Sequence, residues 1–281
     1  MKLRHCLSII LLAVSHVAAA EPASLDARLD EALSGDHRSA ENKSRDQYRH
    51  PRETLEFFGL EPDMTVLEIT PGGGWYTEVL APILKDQGQL VVASFGSDHP
   101  VDYLANMHDG YMDKLDADPE TYDKVKRLVF QAPDYLGALA DDSMDMVLTF
   151  RNTHNWIKFG TAKAIYQSMY RVLKPCGTLG VVQHRADAKA DPEAAAKDGY
   201  VPEAYLIDML ESIGFRLVAR SEINANPADT HDHPEGVWTL PPSYRLGDKD
   251  RAKYEAIGES DRMTLRFTKP MHKADSGCPV N

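Results

Sequence analysis

The sequence predicts an α/β fold: a doubly wound sheet of seven strands whose last strand is antiparallel. Two observations predict it. Between about residues 64 and 214, short apolar runs alternate with amphipathic runs of helical periodicity, as is typical of parallel strands with helices on both faces. The last two apolar runs, FRLVARSEI and MTLRFTKP, have no helical pattern directly between them. They indicate a closing strand pair with one antiparallel member.

The individual elements follow from the hydrophobic periodicity. Residues 21–60 are predicted to form an N-terminal helical extension, with one helix in SLDARLDEAL and a longer one broken at Pro51. The first five strands are predicted in MTVLEIT, QLVVASF, RLVFQA, MDMVLTF and TLGVVQH. Helices are predicted in TEVLAPIL, in one or two pieces between Val101 and Lys126, in TAKAIYQSMYRVL and in PEAYLIDMLESIGF. The last of these begins at a proline and ends at Gly214, as helices often do.

The periodicity also sets the domain limits. Residues 61–270 are predicted to form the sheet domain, and residues 271–281 a flexible tail. Residues 224–262 are rich in Pro, Gly, Asp and His, and they are too many for a plain connection between two strands. We expect this segment to be an inserted loop or lid.

The first twenty residues differ from the rest of the chain. Lys2, Arg4 and His5 precede a short apolar run that ends in three alanines, the pattern of a cleaved signal peptide over residues 1–20. The sequence therefore predicts a periplasmic or secreted protein, with a retained N-terminal anchor as the alternative. Cys176 and Cys278 remain after cleavage. An oxidising compartment would permit a disulfide between them, and two unrelated thiols are the alternative.

Composition narrows the possible partners. The chain carries a net charge of −12 and has no block of Lys and Arg, which disfavours nucleic acid and, after signal cleavage, membrane as partners. Asp229, His231, Asp232 and His233 form a compact D-x-H-D-H run. It lacks a third, separated ligand of the kind that metal sites use, so a polar loop is favoured and no metal is predicted. The sequence leaves the oligomeric state open.

The stretch VLEITPGGGWYT places an acid, Glu68, inside an apolar strand and three glycines just after it. Open α/β sheets bind ligands at the carboxyl ends of their strands, and glycines there let the backbone approach a ligand. A Walker phosphate loop is excluded because no Lys-Ser/Thr follows. A dinucleotide fingerprint fits poorly, since its third glycine position is occupied by Thr77.

This stretch resembles motif I of the class I S-adenosylmethionine-dependent methyltransferases, which have a Rossmann-like fold. Glu68 stands at the motif's acid, Thr70 at its first glycine, and Gly72 and Gly74 at its second and third, with Gly73 between them. The resemblance implies that the backbone of this turn cradles the amino acid end of the cofactor. It also implies that the Glu68 carboxylate binds the cofactor's ammonium group.

Further stretches between residues 64 and 223 support the resemblance. Ser94 stands where the family has an acid for the ribose hydroxyls, and Asp98 lies four residues on. The resemblance places Ala132 and Asp134 near the adenine, and LKPCGTL resembles the motif before the fifth strand. Segments such as RDQYRHPRETLEFFGL and NPADTHDHPEGVWTLPPS also resemble a family of bacterial predicted methyltransferases, many with signal peptides.

The predicted catalytic residues follow the fourth and fifth strands. Arg151, Asn152 and His154 lie in FRNTHNW, and His184 ends TLGVVQH. His154 is a candidate general base and Asn152 a candidate for orienting the substrate, while Arg151 is also a candidate cofactor ligand. The alternatives are that Asn152 and His154 cap the next helix, that Trp156 seals the core, and that His184 is a surface residue. Trp75 and Tyr76 either wall the methionine end of the cofactor or pack the following helix.

A charged run in the N-terminal extension contains Arg45, Asp46, Arg49 and His50. These residues either reach the crevice or form a solvated helix face. The resemblance implies an S-adenosylmethionine-dependent methyltransferase acting on a small molecule. The alternatives are a non-catalytic periplasmic protein that binds a small ligand with the same fold, and a nicotinamide-dependent oxidoreductase.

Overall fold

The computed structural model describes residues 24–271 and residue 278. The strands are β1 Thr65–Ile69, β2 Gln89–Ser94, β3 Lys126–Val129, β4 Met144–Phe150, β5 Leu173–His184, β6 Arg216–Ser221 and β7 Arg262–Thr268. The helices are α1 Leu25–Ser34, α2 Ala40–Ser44, α3 Asp46–Arg49, α4 Pro51–Phe58, α5 Thr77–Leu84, α6 Asp102–Ala117, α7 Pro119–Tyr122, α8 Thr153–Lys158, α9 Ala162–Val172, α10 Pro192–Lys197, α11 Glu203–Ile213 and α12 Arg251–Ile257, with a 3₁₀ turn at Gly236–Thr239.

The seven strands form a single sheet in the order β3-β2-β1-β4-β5-β7-β6. Strands β1 to β5 pair in parallel, and β7 runs antiparallel to both β5 and β6. The predicted fold class is confirmed. The strand order reverses between β1 and β4, and this is where doubly wound sheets open a crevice for ligands.

The core lies on both faces of the sheet, as the near-continuous apolar strands require. On one face, Leu55 and Phe58 of α4 pack with α1, α5 and the residues of β1 and β4 that point that way. On the other face, α8, α9 and α11 cover the sheet. The N-terminal extension is therefore part of the core of the sheet domain.

The N-terminal extension contains the predicted α1, but the longer predicted helix is divided into three short helices. The divisions fall at Arg45 and at His50, which adopts a left-handed conformation with φ of 38°. Pro51 then occupies the first turn of α4, where its missing N–H has no helical partner to lose. The proline starts a helix here rather than ending one.

Four short elements were not predicted: α8, α10, α12 and the 3₁₀ turn. Each has seven residues or fewer, too few to display a helical period. Two of them, the 3₁₀ turn and α12, lie within residues 224–262. The expected inserted segment therefore has structure of its own.

Cys176 and Cys278 form a disulfide with a Cα–Cα distance of 5.3 Å. Of the two alternatives left open by the sequence, the structure has the paired one. The predicted signal peptide lies outside the described residues. Within residues 24–271, none of the helices combines the length and apolar character needed to traverse a bilayer.

Candidate active site

The candidate site lies where the carboxyl ends of the parallel strands meet the start of β7. Ile69 pairs with Thr149, Phe150 with Val182, and His184 with Arg262. Because β7 is antiparallel, its first residues lie at the same edge as the last residues of β1, β4 and β5. The N-terminal extension and residues 224–262 flank this edge, and we call the space between them the crevice.

Glu68 is buried at the tip of β1, with 1% of its surface exposed. Thr77 donates its hydroxyl hydrogen to Oε2 of Glu68 at 2.6 Å, and the Tyr111 hydroxyl lies 2.9 Å from the Thr77 oxygen. Among the described residues, Oε1 of Glu68 has no hydrogen-bond partner and no cation is paired with the carboxylate. Burial raises the pKa of Glu68 to about 7, against the opposing effects of Thr77, Lys114 and Arg151. The carboxyl group is held in position and lacks a positive partner.

The turn after β1 is built from residues with positive φ. Thr70, Gly72 and Gly74 have φ of 47°, 61° and 78°. A Cβ atom at Gly72 or Gly73 would meet nothing within 4 Å, whereas one at Gly74 would lie 2.6 Å from Tyr111. Space is therefore open beside Gly72 and Gly73. Thr70 makes the bend that a glycine would make more easily, and its buried hydroxyl oxygen has no partner in the described part of the chain.

Asn152 braces this turn from β4. Its Nδ2 group donates to the carbonyl oxygens of Ile69 and Thr70, each at 3.2 Å, and lies 3.2 Å from the Thr149 hydroxyl. The side chain does not cap α8, so the capping alternative is wrong for Asn152. The amide group of Asn152 ties the end of β1 to the end of β4 and so positions the turn. A contact between Asn152 and a substrate stays a prediction.

His154 is buried beside Gln183, and this hydrogen bond determines its tautomer. The Gln183 amide accepts from the Thr153 N–H at 3.1 Å and donates to the Gly199 carbonyl at 3.1 Å, which fixes its orientation. Gln183 therefore donates to Nδ1 of His154 at 3.1 Å, so the ring proton is on Nε2. Burial lowers the pKa of His154 to about 4. This geometry favours a neutral hydrogen-bond donor over the general base that the sequence predicted.

His184 is a buried residue, and the alternative of a surface histidine is wrong. Its ring lies 5.7 Å from the His154 ring, so the two candidate catalytic histidines lie side by side. Nδ1 of His184 lies 2.5 Å from the Ser260 hydroxyl. Burial, together with Arg262, His154 and Arg151, lowers the pKa of His184 well below its usual value. The imidazole is thus neutral near pH 7, and its Nε2 can accept a hydrogen bond when Nδ1 donates to Ser260.

Arg151 follows β4 in a left-handed conformation, with φ of 63°. Within the described residues, its guanidinium makes neither a hydrogen bond nor an ion pair. Burial, with a contribution from Arg262, lowers its pKa to about 10. Its backbone N–H donates to the Val182 carbonyl at 2.7 Å, which places Arg151 at the carboxyl ends of β4 and β5, and its charge also lowers the pKa of Glu68 and of His184.

The charged run in the N-terminal extension folds over the crevice. Arg45 and Arg49 donate to the two oxygens of Glu259 at 2.7 and 3.0 Å, and Arg262 donates to the same carboxylate. The side chains of Arg45 and Arg49 are only 18% and 4% exposed, so a solvated helix face is wrong for these two residues. The other members of the run make different contacts: Asp46 pairs with Arg38 and His50 faces Asn224.

Trp75 and Tyr76 pack against protein rather than lining open space. The guanidinium of Arg49 lies 4.7 Å from the centre of the Trp75 ring. Tyr76 stacks on Phe150 with ring centres 3.5 Å apart, and its hydroxyl donates to the Arg49 carbonyl at 3.2 Å. These contacts are with Arg49 and Phe150 and not with the following helix, and the pair anchors α3 to the glycine turn. A contact with the methionine end of the cofactor stays a prediction.

The predicted adenosine ligands lie beside this turn, at the ends of β2 and β3. Ser94 is the last residue of β2, and its hydroxyl lies 3.2 Å from Nδ1 of His108. Asp98, Ala132 and Asp134 are exposed. The parallel pairing of β2 with β1 puts Ser94 next to the turn. Roles for these four residues in binding remain predictions.

The Asp229 carboxylate is a buried hydrogen-bond acceptor. It accepts from the Tyr200 hydroxyl at 3.2 Å, from Nε2 of His233 at 2.9 Å and from the Asp261 N–H at 2.9 Å. The bond from Tyr200 ties residues 224–262 to the rest of the sheet domain, and the other two bonds lie within that segment. In the part of the chain that the structure describes, no group of three or more His, Cys, Asp or Glu side chains is arranged to hold a metal ion.

Several residues of the crevice were not predicted from the sequence. Thr77 and Tyr111 position Glu68, and Glu259, Ser260 and Arg262 form the wall at β7. The β7 residues had a usable signal, because an antiparallel last strand must begin at the ligand edge of the sheet. Tyr111 lies within a helix that shows no distinctive pattern, and nothing in the sequence marks it.

Comparisons with known proteins agree on the fold. No family model matches the chain, and no curated protein matches it. A methyltransferase from Aquifex aeolicus that depends on S-adenosylmethionine (SAM) superimposes with a TM-score of 0.53 at 17% identity, over 80% of this chain and 93% of that one. The arsenic(III) S-adenosylmethionine methyltransferase CrArsM from Chlamydomonas reinhardtii gives 0.50 at 16% identity, over 89% and 74%. The [4+2]-cyclase SpnF gives 0.52 at 15% identity, over 85% and 86%.

The chain thus has the Rossmann-like fold that these methyltransferases share. The same fold is present in a cyclase, so it does not by itself determine the reaction. The narrower resemblance to bacterial predicted methyltransferases stays a prediction.

Proposed function

We propose that this protein is an S-adenosylmethionine-dependent methyltransferase that acts on a small molecule. The observation that carries the proposal is Glu68: a buried carboxylate, fixed on one oxygen by Thr77 and without a cation on the other. An unpaired buried carboxylate is costly to ionise. Its position beside an open glycine turn suits the ammonium group of the cofactor's methionine part.

The residues present fit the cofactor in three respects. Oε1 of Glu68 can accept from the ammonium group. The open space at Gly72 and Gly73 admits the methionine chain against bare backbone. The unpartnered hydroxyl of Thr70 can serve as a further polar contact. Farther along the sheet edge, Ser94 and Asp98 would meet the ribose, and Ala132 and Asp134 the adenine.

The residues of the crevice would have different roles in methyl transfer. The bound cofactor would supply a methyl group on a positively charged sulfur, and the acceptor atom must approach that carbon in line. Asn152 holds the turn in register with β4. His184 would accept a hydrogen bond at Nε2 from the O–H or N–H of the acceptor when Ser260 receives its Nδ1 hydrogen, and would orient the acceptor without holding its proton, because burial and the nearby arginines disfavour the imidazolium. His154 would donate a hydrogen bond from Nε2.

Residues 224–262 would keep this chemistry away from water. The ring of Trp238, within this segment, lies 5.7 Å from the His154 ring in an edge-on arrangement. Asp229 anchors the segment to Tyr200. A dry pocket strengthens the electrostatic interactions on which methyl transfer depends.

Binding of the cofactor tests the proposal directly. Calorimetric titration of the protein lacking residues 1–20 should show micromolar binding of S-adenosylmethionine and of its demethylated product, S-adenosylhomocysteine. Glu68→Gln should weaken both by about 10- to 100-fold, the value of a charge-assisted hydrogen bond. Glu211→Gln, at an exposed position of α11, is the matched control and should bind normally. If the unaltered protein binds neither compound, the proposal is wrong.

Turnover separates the two histidines. With a radiolabelled methyl group on the cofactor and a periplasmic small-molecule extract as acceptor source, His184→Gln should keep cofactor affinity and lose most transfer. His154→Gln should lose less, because a glutamine amide also donates a hydrogen bond. An equal loss of methyl transfer in both variants would contradict the assignment of His184 as hydrogen-bond acceptor and His154 as hydrogen-bond donor.

We propose in addition that the protein is exported. The leader-like residues 1–20 support this, as does the disulfide between Cys176 and Cys278, since disulfides persist mainly in oxidising compartments. Fractionation of cells should find the processed chain, without free thiols, in the periplasm or medium. Full-length, reduced protein in the cytoplasm would contradict export.

A further inference from the structure

The crevice carries an excess of positive charge in an acidic protein. Arg45, Arg49, Arg151 and Arg262, which we call the arginine cluster, converge on it from the N-terminal extension, β4 and β7. The one carboxylate that ion-pairs with members of the cluster among the described residues is Glu259. The whole chain, by contrast, has a net charge of −12. The local excess is therefore not a reflection of composition.

Glu259 is already fully engaged. Its Oε1 accepts from Arg45, and its Oε2 accepts from both Arg49 and Arg262. A carboxylate offers about four lone-pair sites, so little capacity remains. One negative charge also cannot neutralise four guanidinium groups. The cluster is left with unsatisfied donors and uncompensated charge.

The unsatisfied donors can be identified individually. Nη1 of Arg49 and Nε of Arg262 are buried and have no hydrogen-bond partner in the described part of the chain. Arg151 is partly exposed, and its guanidinium makes no hydrogen bond or ion pair with the residues that the structure describes. Buried donors without partners and uncompensated charges destabilise a fold. Arg151 also adopts a left-handed backbone, and such conformations are concentrated at binding and active sites.

The β7 part of the cluster, Arg262 with Glu259, lies away from the part of the crevice assigned to the cofactor's amino acid end. Arg262 begins β7, which is three strands from β1 in the order β1-β4-β5-β7. At about 4.8 Å per strand, the two backbones lie roughly 14 Å apart. The ammonium and carboxylate groups of a methionine part share one carbon atom. A cofactor held by Glu68 therefore cannot present its carboxylate to Arg262, which lies opposite His184 in the pairing of β7 with β5. Arg151 follows β4 between these two places, and its N–H donates to the Val182 carbonyl, two residues before His184.

We propose that the methyl acceptor carries an anionic oxygen group, a carboxylate or a phosphate, and that Arg151 binds it beside His184. This proposal rests on the proposed function and names the class of its substrate. Arg151 supplies the accessible guanidinium fork, whose planar donors match such groups. Arg45, Arg49 and Arg262 add a positive field behind it. Glu259 holds these three side chains together without cancelling their charge.

Anion binding to the cofactor-loaded protein tests this. Inorganic phosphate and acetate are titrated separately into protein saturated with S-adenosylhomocysteine, and into protein without it, with thermal midpoint and calorimetry as readouts. At least one anion should bind at millimolar concentration without displacing S-adenosylhomocysteine, and the stronger of the two identifies the class. Arg151→Gln should weaken anion binding by about tenfold or more and leave S-adenosylhomocysteine affinity within about twofold. Arg151→Lys should retain part of the anion affinity.

The matched control is Arg127→Gln, at the exposed end of the sheet, where Arg127 pairs with Asp116; it should change neither measurement. Failure of both anions to bind would overturn the proposal. So would competition between anion and S-adenosylhomocysteine, combined with a loss of S-adenosylhomocysteine affinity in Arg151→Gln as large as in Glu68→Gln, since Arg151 would then hold the cofactor's own carboxylate. If anions bind and S-adenosylhomocysteine does not, the proposed function fails while the anion site stands.

Discussion

Two glutamates lie in the walls of the same crevice, and both are almost completely buried, with Glu68 1% and Glu259 2% exposed. Their pKa values move in opposite directions. Burial raises the pKa of Glu68 to about 7. Burial acts in the same sense on Glu259, but Arg262, Arg45 and Arg151 outweigh it, and the pKa of Glu259 is lowered. The charge of a buried carboxyl group is thus decided by its partners and not by its depth.

The contrast also separates residues that build the fold from residues that await a ligand. Glu259 has three arginine donors and joins α3 to β7. Glu68 has one hydroxyl donor and a free oxygen. A carboxylate with complete partners stabilises the protein on its own, whereas one with incomplete partners becomes favourable only when something binds. Incomplete pairing at the sheet edge is therefore the structural sign of the site.

Of the variants considered, Glu259→Gln should change the free energy of unfolding most. Glu259→Gln leaves Arg45, Arg49 and Arg262 without their counter-charge in a buried setting, and the free energy of unfolding should fall by roughly 3–5 kcal/mol. Urea unfolding monitored by circular dichroism measures it. Asp116→Asn is the control: its partner is Arg127 at an exposed surface, and it should cost less than about 1 kcal/mol. Equal losses in the two variants would show that Glu259 contributes no more than a surface ion pair.

In the absence of cofactor, removal of the Glu68 carboxylate should raise the free energy of unfolding, whereas removal of Glu259 should lower it. Its pKa is raised on folding from 4.5 to about 7, so between these values the folded state binds more protons and stability falls as pH rises. Above pH 7 this penalty is complete, at about 3 kcal/mol. Glu68→Gln should therefore stabilise the ligand-free protein by up to about 3 kcal/mol at pH 8, and by well under half of that at pH 5. Urea unfolding at both pH values checks this, and a variant less stable at pH 8 would contradict the assignment.

Cofactor affinity should depend on pH through the same group. Below pH 7 the Glu68 carboxyl is protonated and must release its proton before it pairs with an ammonium group. Affinity should then fall about tenfold for each unit below pH 7 and level off above it. Titration in two buffers of different ionisation enthalpy should detect the released proton near pH 6.5. Glu68→Gln should lack both the slope and the proton release, and an equal slope in that variant would assign it to another group.

The cofactor side of the crevice could be predicted from sequence because its signals are local. Glu68, Thr70 and the glycines lie within seven residues of one another, and the strand-turn-helix pattern around them is visible in the hydropathy. The short helices α8, α10 and α12 could not be predicted, because one or two turns display no helical period. The protonation of His154 was also beyond reach, because it depends on Gln183 of the neighbouring strand.

The proposed substrate side, with the arginine cluster, could not be predicted in the same way. Arg49 and Glu259 are 210 residues apart in the chain, and their meeting depends on β7 running antiparallel to β5 while α3 folds across the same edge. A charged run such as Arg45 to His50 looks the same in sequence whether it is solvated or buried. The alternation of strands and helices in the sequence predicts the parallel part of the sheet. It does not predict the long-range ion pairs that complete the crevice.

The smallest expected effect concerns the bend between these two sides. Thr70 has φ of 47°, a conformation that is unfavourable for a β-branched residue, and its hydroxyl is buried without a partner among the described residues. Thr70→Gly removes the backbone strain and the unpartnered hydroxyl, but it also increases the conformational entropy of the unfolded chain. The free energy of unfolding, measured with urea, should therefore rise by about 1 kcal/mol. Thr65→Gly, in the extended backbone of β1, is the control and should lose a similar amount. If Thr70→Gly is destabilised like the Thr65→Gly control, other interactions of Thr70 outweigh the strain of its backbone. The turn would then be more rigid than its dihedral angles suggest. A loss of cofactor affinity in a stabilised Thr70→Gly would show instead that the hydroxyl contacts the ligand, which would extend the set of incompletely paired groups from Glu68 to Thr70.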